Sequence, residues 1–342
     1  MMKLYSMTTL STGLDVLEML KGRLHGVIGL TKREPGDSIS GFTHMEQWCK
    51  ENNVEFIPVN DYSLKSNEDR KTLLTLDADI ILVNGWQRLI PEWLIQHCKL
   101  GALGVHGSAY GITKGRGRSP QNWALLMGKQ HFSVSLFKID KGIDSGAVVA
   151  SKTFDYTEFD DIKTSYYKVN DCVYEMIIDL LNDDTANLNA LSVNQEDSPQ
   201  YLPQRYPEDG AIDWSRASED IHNFVRALTS PYPCAFSHRS NGEKVSVISG
   251  RPYSTTPNSA ENGEIIRIYN GGEVLMSTGN GSYLIDSYEV QGDALHQGEK
   301  LNSADFTEQL RNIILRHIEK FPNQPIADEL LEIADFKGGM SK

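Results

Sequence analysis

A histidine and an aspartate stand at places where strand-like segments end. His106 closes the run Gly104-Val105-His106-Gly107-Ser108, and Asp144 lies in Ile139-Asp140-Lys141-Gly142-Ile143-Asp144-Ser145-Gly146, a loop between two strand-like runs. An imidazole beside a carboxylate can hold, donate or accept a proton near neutral pH, which is what general acid–base chemistry needs. Between the two lie a glycine- and arginine-rich loop over residues 111–120, which carries Arg116 and Arg118, and a helix start at Gln121-Asn122-Trp123. Taken singly these residues are ordinary. A lone histidine at a strand end is more often a structural hydrogen-bonding group, and aspartate suits a glycine turn. Arg116 and Arg118 read as solvated charges, and Trp86 and Trp123 as core.

The elements that must position the pair alternate in the first half of the chain. Short β-branched runs at residues 3–7, 27–31, 55–58, 80–84 and 102–106 are separated by amphipathic stretches. This is the pattern of βαβ units and a parallel sheet, an α/β doubly wound architecture. Leu14, Leu17, Met19 and Leu20 recur at helical spacing behind the capping candidates Ser11 and Thr12. Stretches at 42–51, 67–74 and 91–98 supply the later crossovers. Ligands of such a sheet bind beyond the carboxyl ends of its strands, where the strand order reverses. The loop after the first strand, Thr8-Thr9-Leu10-Ser11-Thr12-Gly13, lacks the GxGxxG turn of dinucleotide sites, so a nicotinamide cofactor is not expected.

Two further strands at 131–139 and 147–154 and a long helix at 162–181 complete a first domain over residues 1–182. Residues 183–204 form a polar linker that carries Asp183, Asp184, Glu196 and Asp197 and no basic residue up to Gln200. A C-terminal domain, 205–342, follows. It has a helix near 219–228, short strands at 245–248, 264–269, 274–277 and 282–290, a final helix at 303–320, and a tail from Pro322 expected to pack loosely. Short strands separated by Asn-Gly and Gly-Gly turns predict a small antiparallel, barrel-like sheet.

Composition narrows the function classes. The 342 residues suit about two domains at roughly 150 residues each. The formal charge of −13 argues against nucleic acid as a partner, because phosphate binding runs on a basic surface. No apolar stretch reaches the ~18–20 residues of a membrane span, so the reading is a cytoplasmic protein that does not engage a membrane. Cys49, Cys98, Cys172 and Cys234 lie far apart, and no histidine spacing forms a metal motif, so no metal is expected.

Read in order, Gly-Val-His-Gly-Ser, then Arg-Gly-Arg-Ser-Pro-Gln-Asn-Trp-Ala-Leu, then Gly-Ile-Asp-Ser-Gly-Ala-Val-Val-Ala resemble the formyltransferase family that uses 10-formyltetrahydrofolate. Pro207-Glu208-Asp209-Gly210-Ala211-Ile212-Asp213-Trp214 and Arg226-Ala227-Leu228-Thr229-Ser230-Pro231-Tyr232-Pro233 resemble the start of the family's C-terminal domain, as in methionyl-tRNA and nucleotide-sugar formyltransferases. The resemblance covers about residues 1–290. It implies His106 and Asp144 as the catalytic pair. It implies a pterin slot between Trp86, Arg88 and Leu89 on one side and Ile139, Asp140, Lys141 and Gly142 on the other. Ser108, Arg116, Arg118 and Ser119 are implied near the acceptor.

Two departures bear on function. The family motif is Asn-x-His, whose amide helps bind the formyl oxygen, but here Gly104 stands two residues before His106. Asn84 or Asn122 is the expected substitute, with the glycine leaving room for it. The loop after Ser108 reads Ser108-Ala109-Tyr110-Gly111-Ile112, with a two-residue insertion relative to the family, and it borders the acceptor. With the acidic charge and acidic linker, the expected reaction is formyl transfer from 10-formyltetrahydrofolate to the amine of a small anionic acceptor, a nucleotide-linked amino sugar for surface polysaccharide. The alternatives are a 10-formyltetrahydrofolate hydrolase, a methionyl-tRNA formyltransferase, and a folate-binding scaffold with impaired chemistry. The late strands offer an edge for a homodimer.

Overall fold

The computed structural model describes residues 2–31, 41–183, 193–196, 198–256 and 259–336. Packing divides the chain into two compact units. The first comprises Met1–Thr113, Ser133–Phe154 and Tyr166–Asp197; the second comprises Lys114–Phe132, Asp155–Ser165 and Ser198–Lys342. Of the stretch read as a linker, residues 184–192 and 197 lie outside the described residues.

In the first half β1 (Leu4–Met7), β2 (Leu24–Leu30), β3 (Glu55–Val59), β4 (Ile80–Val83) and β5 (Gly101–Ser108) alternate with α1 (Thr12–Leu20), α2 (Glu46–Asn52), α3 (Asn67–Leu73) and α4 (Glu92–His97). Then come α5 (Gly111–Lys114), the two-residue β6 (Arg116–Gly117), α6 (Pro120–Leu126), β7 (His131–Lys138), β8 (Val148–Asp155) and α7 (Ile162–Asn182). The main sheet has the order β3-β2-β1-β4-β5-β7-β8. The first five strands run parallel, and β7 is antiparallel to β5. The winding therefore reverses between β1 and β4, which opens the crevice where such sheets hold ligands.

Hydrophobic period decides the layers. All four residues of β1 and all four of β4 are buried, as befits parallel strands covered on both faces. Met7, Ile28, Val59, Ile81 and Val83 pack on one face with Leu94 of α4. Val27, one residue from Ile28, joins Leu17 and Met45 on the other. Ser66 caps α3, its side chain accepting from Glu68 N at 3.1 Å and Asp69 N at 3.3 Å. Ser11 stands at the N-cap of α1 without a side-chain cap bond. Its N–H instead donates to Gly41 O at 2.9 Å.

After β9 (Tyr201–Leu202), which pairs in parallel with β6, the second unit continues with α8 (Ser218–Leu228) and an antiparallel sheet. Its strands are β10 (Ala235–His238), β11 (Lys244–Ser254), β12 (Ile265–Ile268), β13 (Val274–Thr278) and β14 (Gly281–Val290). Their order is β10-β11-β14-β13-β12, and β10 and β12 are its edges among the described residues. The fully buried Trp214 and Tyr283 anchor this core with Val245, Val247, Ile265, Met276 and Ile285. The chain ends in α9 (Phe306–Lys320) and α10 (Asp328–Ile333). The tail does not pack loosely: Ile326, Ala327, Leu330 and Ala334 are buried, and the Tyr201 N–H donates to Pro325 O at 2.7 Å.

Candidate functional site

The site grows out of unequal strand lengths. β4 stops at Val83, whose partner on β5 is Gly104, while β5 runs on to Ser108 beside β7. His106 thus emerges two residues past the end of β4, on the crevice side of the sheet, and lies on the same face as Gly104. Its ring is 8% exposed, and its Nδ1 lies 3.3 Å from Asp144 Oδ2. The two residues, 38 positions apart in the chain, come together because the loop between β7 and β8 folds back over the sheet. Asp144 keeps a quarter of its side chain open to solvent.

That loop is built by its own short side chains. Asp140 Oδ1 accepts from Gly142 N at 2.9 Å and from Ser145 Oγ at 2.6 Å. A Cβ at Gly146 would collide with Lys138 O, so only glycine lets the loop return against β7. Asp144 itself has φ +49, a left-handed conformation that costs a non-glycine residue about 1 kcal/mol or more and is held by its surroundings. Gln195 Nε2 donates to Asp144 O and to Gly146 O, both at 2.8 Å. Sequence reasoning missed this residue, since a glutamine in a polar stretch carries no periodicity.

The loop after β4 presents an unusual donor. Trp86 is 8% exposed, and its indole Nε1 is buried with no hydrogen-bond partner. Leaving such a donor unpaired costs roughly 1–3 kcal/mol, which a ligand acceptor would recover. Tyr62 packs edge-on against Trp86 with centroids 4.9 Å apart, and its hydroxyl accepts from Gln87 N at 2.8 Å. The Arg88 guanidinium lies 4.9 Å from the Tyr62 ring centroid, and Leu89 is 62% exposed. Opposite Ala102 on β5, Ile139 N donates to Ala102 O at 2.9 Å, while Asp140, Lys141 and Gly142 are exposed. A buried orphan donor beside exposed apolar and basic side chains fits a flat heteroaromatic ring with an anionic tail.

One expectation needs correction. The space beside Gly104 is not vacant: a Cβ there would meet the Phe137 ring at 2.5 Å, and Phe137 is the Cα partner of Gly104 on β7. Phe137, an aromatic wall and not an amide, fills that place. Asn122 belongs to the second unit, where it is buried and its Nδ2 donates to Ala227 O at 2.5 Å. Asn84 follows the last residue of β4 in the unit that carries His106. Ser108 is fully buried, its Oγ accepting from Tyr110 N at 3.0 Å.

Arg116, Arg118 and Ser119 belong to the second unit. Arg116 is not a solvated charge but is buried, at 7% exposure, and its N–H donates to Gln200 O at 3.1 Å. Arg118 is exposed, and its N–H donates to Leu202 O at 3.0 Å. Ser119, at φ +57, stands at the N-cap of α6 without a side-chain cap bond. Trp123 is fully buried and its indole N–H donates to Pro203 O at 2.9 Å. Among the described residues no group of three metal-ligating side chains converges, and no helix is long and apolar enough to cross a membrane.

Residues 33–181 match the family described as formyl transferase, and residues 205–305 match formyl transferase, C-terminal domain. The chain is 34% identical over 187 residues to the bifunctional polymyxin resistance protein ArnA of Wigglesworthia glossinidia brevipalpis, a match that covers 54% of this chain and 27% of that protein. The chain thus spans only about a quarter of that relative's length. Among solved structures, HypX from Aquifex aeolicus in complex with tetrahydrofolic acid superposes with a TM-score of 0.57 at 16% identity, over 95% of this chain and 58% of that one. The N-formyltransferase from Helicobacter canadensis, solved with folinic acid and dTDP-3-aminofucose, gives a TM-score of 0.56 at 16% identity, over 84% of this chain and all of that one. These structural likenesses are of fold.

Proposed function

The chain belongs to the formyltransferase family, and we propose that it moves the formyl group of 10-formyltetrahydrofolate onto the primary amine of a nucleotide-linked amino sugar used in surface polysaccharide. The observation that carries this reading is the 3.3 Å approach of Asp144 to His106 beside the crevice of the sheet. Bound 10-formyltetrahydrofolate supplies an activated formyl carbon, whose bond to the folate nitrogen breaks as the acceptor nitrogen bonds, tetrahydrofolate leaving with one proton in exchange for the one the amine loses. His106 donates a hydrogen bond to the formyl oxygen as negative charge builds on it; one such preorganised donor is commonly worth a factor of about 100 to 1,000 in rate. Asp144 fixes the orientation of the imidazole and helps take up the proton that the amine releases, directly or through water.

The chain's own groups suit the donor. Trp86 offers its buried indole N–H to an acceptor on the ring edge, with Ile139, Asp140 and Gly142 bringing backbone groups from the opposite loop. Leu89 covers apolar surface, and Arg88 and Lys141 carry charge suited to an anionic tail. Of the residues that the family resemblance implies near the acceptor, Ser108 lies two residues from His106, and Arg118, in the second unit, has an exposed guanidinium suited to a phosphate. Burial of Arg116 leaves it less suited to that task. The net charge of −13 favours a small acceptor over an initiator tRNA. A complex with a nucleotide-linked amino sugar is known for the Helicobacter canadensis relative.

Tetrahydrofolate release, followed with a panel of nucleotide-linked amino sugars and a no-amine control, tests the proposal. Release that requires one amino sugar is the expected result. Release without any amine marks a hydrolase, and a salt-dependent shift of tRNA would point to the initiator-tRNA activity. Folate binding without release, across a panel that spans the amino positions, marks a scaffold.

A further inference from the structure

We propose that Gln195 is a positioning residue for the His106–Asp144 pair, acting through the carbonyls on either side of Ser145. The inference rests on the reading of that pair as the reacting one. One carboxamide nitrogen, with two hydrogens, donates to Asp144 O and Gly146 O, both at 2.8 Å, so both of its N–H bonds are spent on the loop. The carboxamide is itself oriented: Thr113 Oγ1 donates to Gln195 Oε1 at 3.3 Å, which fixes the nitrogen side toward the loop. The segment is seated by a two-way backbone bridge, Val193 N to Val148 O at 2.7 Å and Val148 N to Val193 O at 2.8 Å, beside the start of β8.

The physical need for this clamp lies in the loop. Asp144 adopts φ +49, where a residue with a Cβ is strained, and glycines, the most conformationally permissive residues, stand two positions to either side of it. Asp140 ties the loop at Gly142 and Ser145 but leaves the carbonyls of Asp144 and Gly146 to another donor. Fixing those two carbonyls fixes the peptide planes on the C-terminal side of Asp144, and with them the direction in which its carboxylate leaves the backbone. Through Thr113, the same carboxamide also ties this loop to the segment that follows Ser108. Gln195 thus joins the two segments that flank His106.

The test uses the full chain labelled with ¹⁵N and free of ligand. The Nδ1 resonance of His106, assigned by its loss in His106→Ala, is compared in wild type, Asp144→Ala and Gln195→Met. Gln195→Met keeps the length of the side chain and removes its donors. The expected result is a displacement of the resonance in the direction that Asp144→Ala sets, with an unchanged melting curve. Formyl transfer should show kcat lower by about 10- to 100-fold, the scale of a misplaced catalytic group, with little change in the KM of the folate donor. A folded Gln195→Met whose resonance stays at the wild-type position overturns the proposal, whatever its kcat. If Gln195→Met does not fold, Thr113→Val, which frees the carboxamide oxygen, is expected to move the resonance the same way by less, and no movement there overturns it. Should wild type transfer no formyl group to any acceptor, the resonance still decides the positioning role, so the two readings fail separately.

Discussion

Gly104 and Phe137 face each other across β5 and β7, and the phenyl ring occupies the place where any side chain at position 104 would begin. The pairing makes the sheet beside His106 apolar where the family resemblance implies an amide. Glycine is required here by the ring, since φ at this position is ordinary. Gly104→Asn alone is therefore expected to lose about 1–3 kcal/mol of stability by overpacking. Phe137→Ala is expected to cost about 3–5 kcal/mol through the cavity it leaves. The double variant should cost less than the sum by about 0.5–3 kcal/mol, because the new side chain enters the emptied space. Urea denaturation of the three variants measures this coupling; strict additivity would show that the ring and the glycine do not depend on each other.

Phe137 fills the place beside Gly104, so on the proposed mechanism the stabilisation of transition-state charge rests on His106 unless Asn84 supplies an amide. Asp144→Asn keeps the shape of the carboxylate and removes its charge, and is expected to lower kcat by about 100-fold or more without loss of fold. Asn84→Ala tests the asparagine that follows the last residue of β4. Loss of activity in a folded Asn84→Ala protein identifies Asn84 as the missing amide, and full activity removes it from the site.

Much of this arrangement was legible from residue pattern. The five parallel strands announced themselves as β-branched runs, and the family order of His106 and Asp144 located the pair before any distance was known. What stayed hidden depends on contacts between distant segments. Nothing in Gln195 or Phe137 as a residue type signals the loop or the glycine that each one meets. β10 escaped notice because Ala235-Phe236-Ser237-His238 is a four-residue edge strand behind a proline-rich turn. The short α10 was hidden in a polar tail, where only Leu330 and its neighbours betray a buried face.

Truncation after Phe321 is expected to destabilise the second unit. It removes Ile326 and Leu330, at 1% and 0% exposure, each worth about 1.5–3 kcal/mol of apolar burial. A fall in melting temperature relative to the full chain checks this, and an unchanged melting curve would return the tail to a loosely attached role.

Stability is expected to fall as pH drops below about 6.5, the ordinary histidine value. Burial pushes His222 below that value, aided by Arg226 and opposed by Glu158, while its Nδ1 sits 3.1 Å from Gly250 O. Burial does the same to His317. Both rings resist protonation when folded, so the unfolded chain takes up protons first and the folded state loses ground as pH falls through this window. His222→Gln should flatten the pH dependence of the urea midpoint between about pH 7 and 5; an unaltered slope would exclude His222 as a source.

Two thiols should be inert in the folded protein. Burial pushes Cys98 up to about 12 and Cys49 up to about 11, so neither forms thiolate at neutral pH. A thiol reagent is expected to label Cys234, which is half-buried, before either of them. Rapid labelling of Cys98 under native conditions would mean that the packing around α4 opens.

His106 and Asp144 are proposed to assist direct transfer of the formyl group from 10-formyltetrahydrofolate to an amine, His106 by donating a hydrogen bond to the formyl oxygen. The direct measurement is the mass of a nucleotide-linked amino sugar after incubation with isotopically labelled 10-formyltetrahydrofolate, for wild type and for folded His106→Ala. Label on the sugar nitrogen with wild type, and its loss in His106→Ala, is the expected result. Label transferred equally by both proteins would exclude His106 from the reaction.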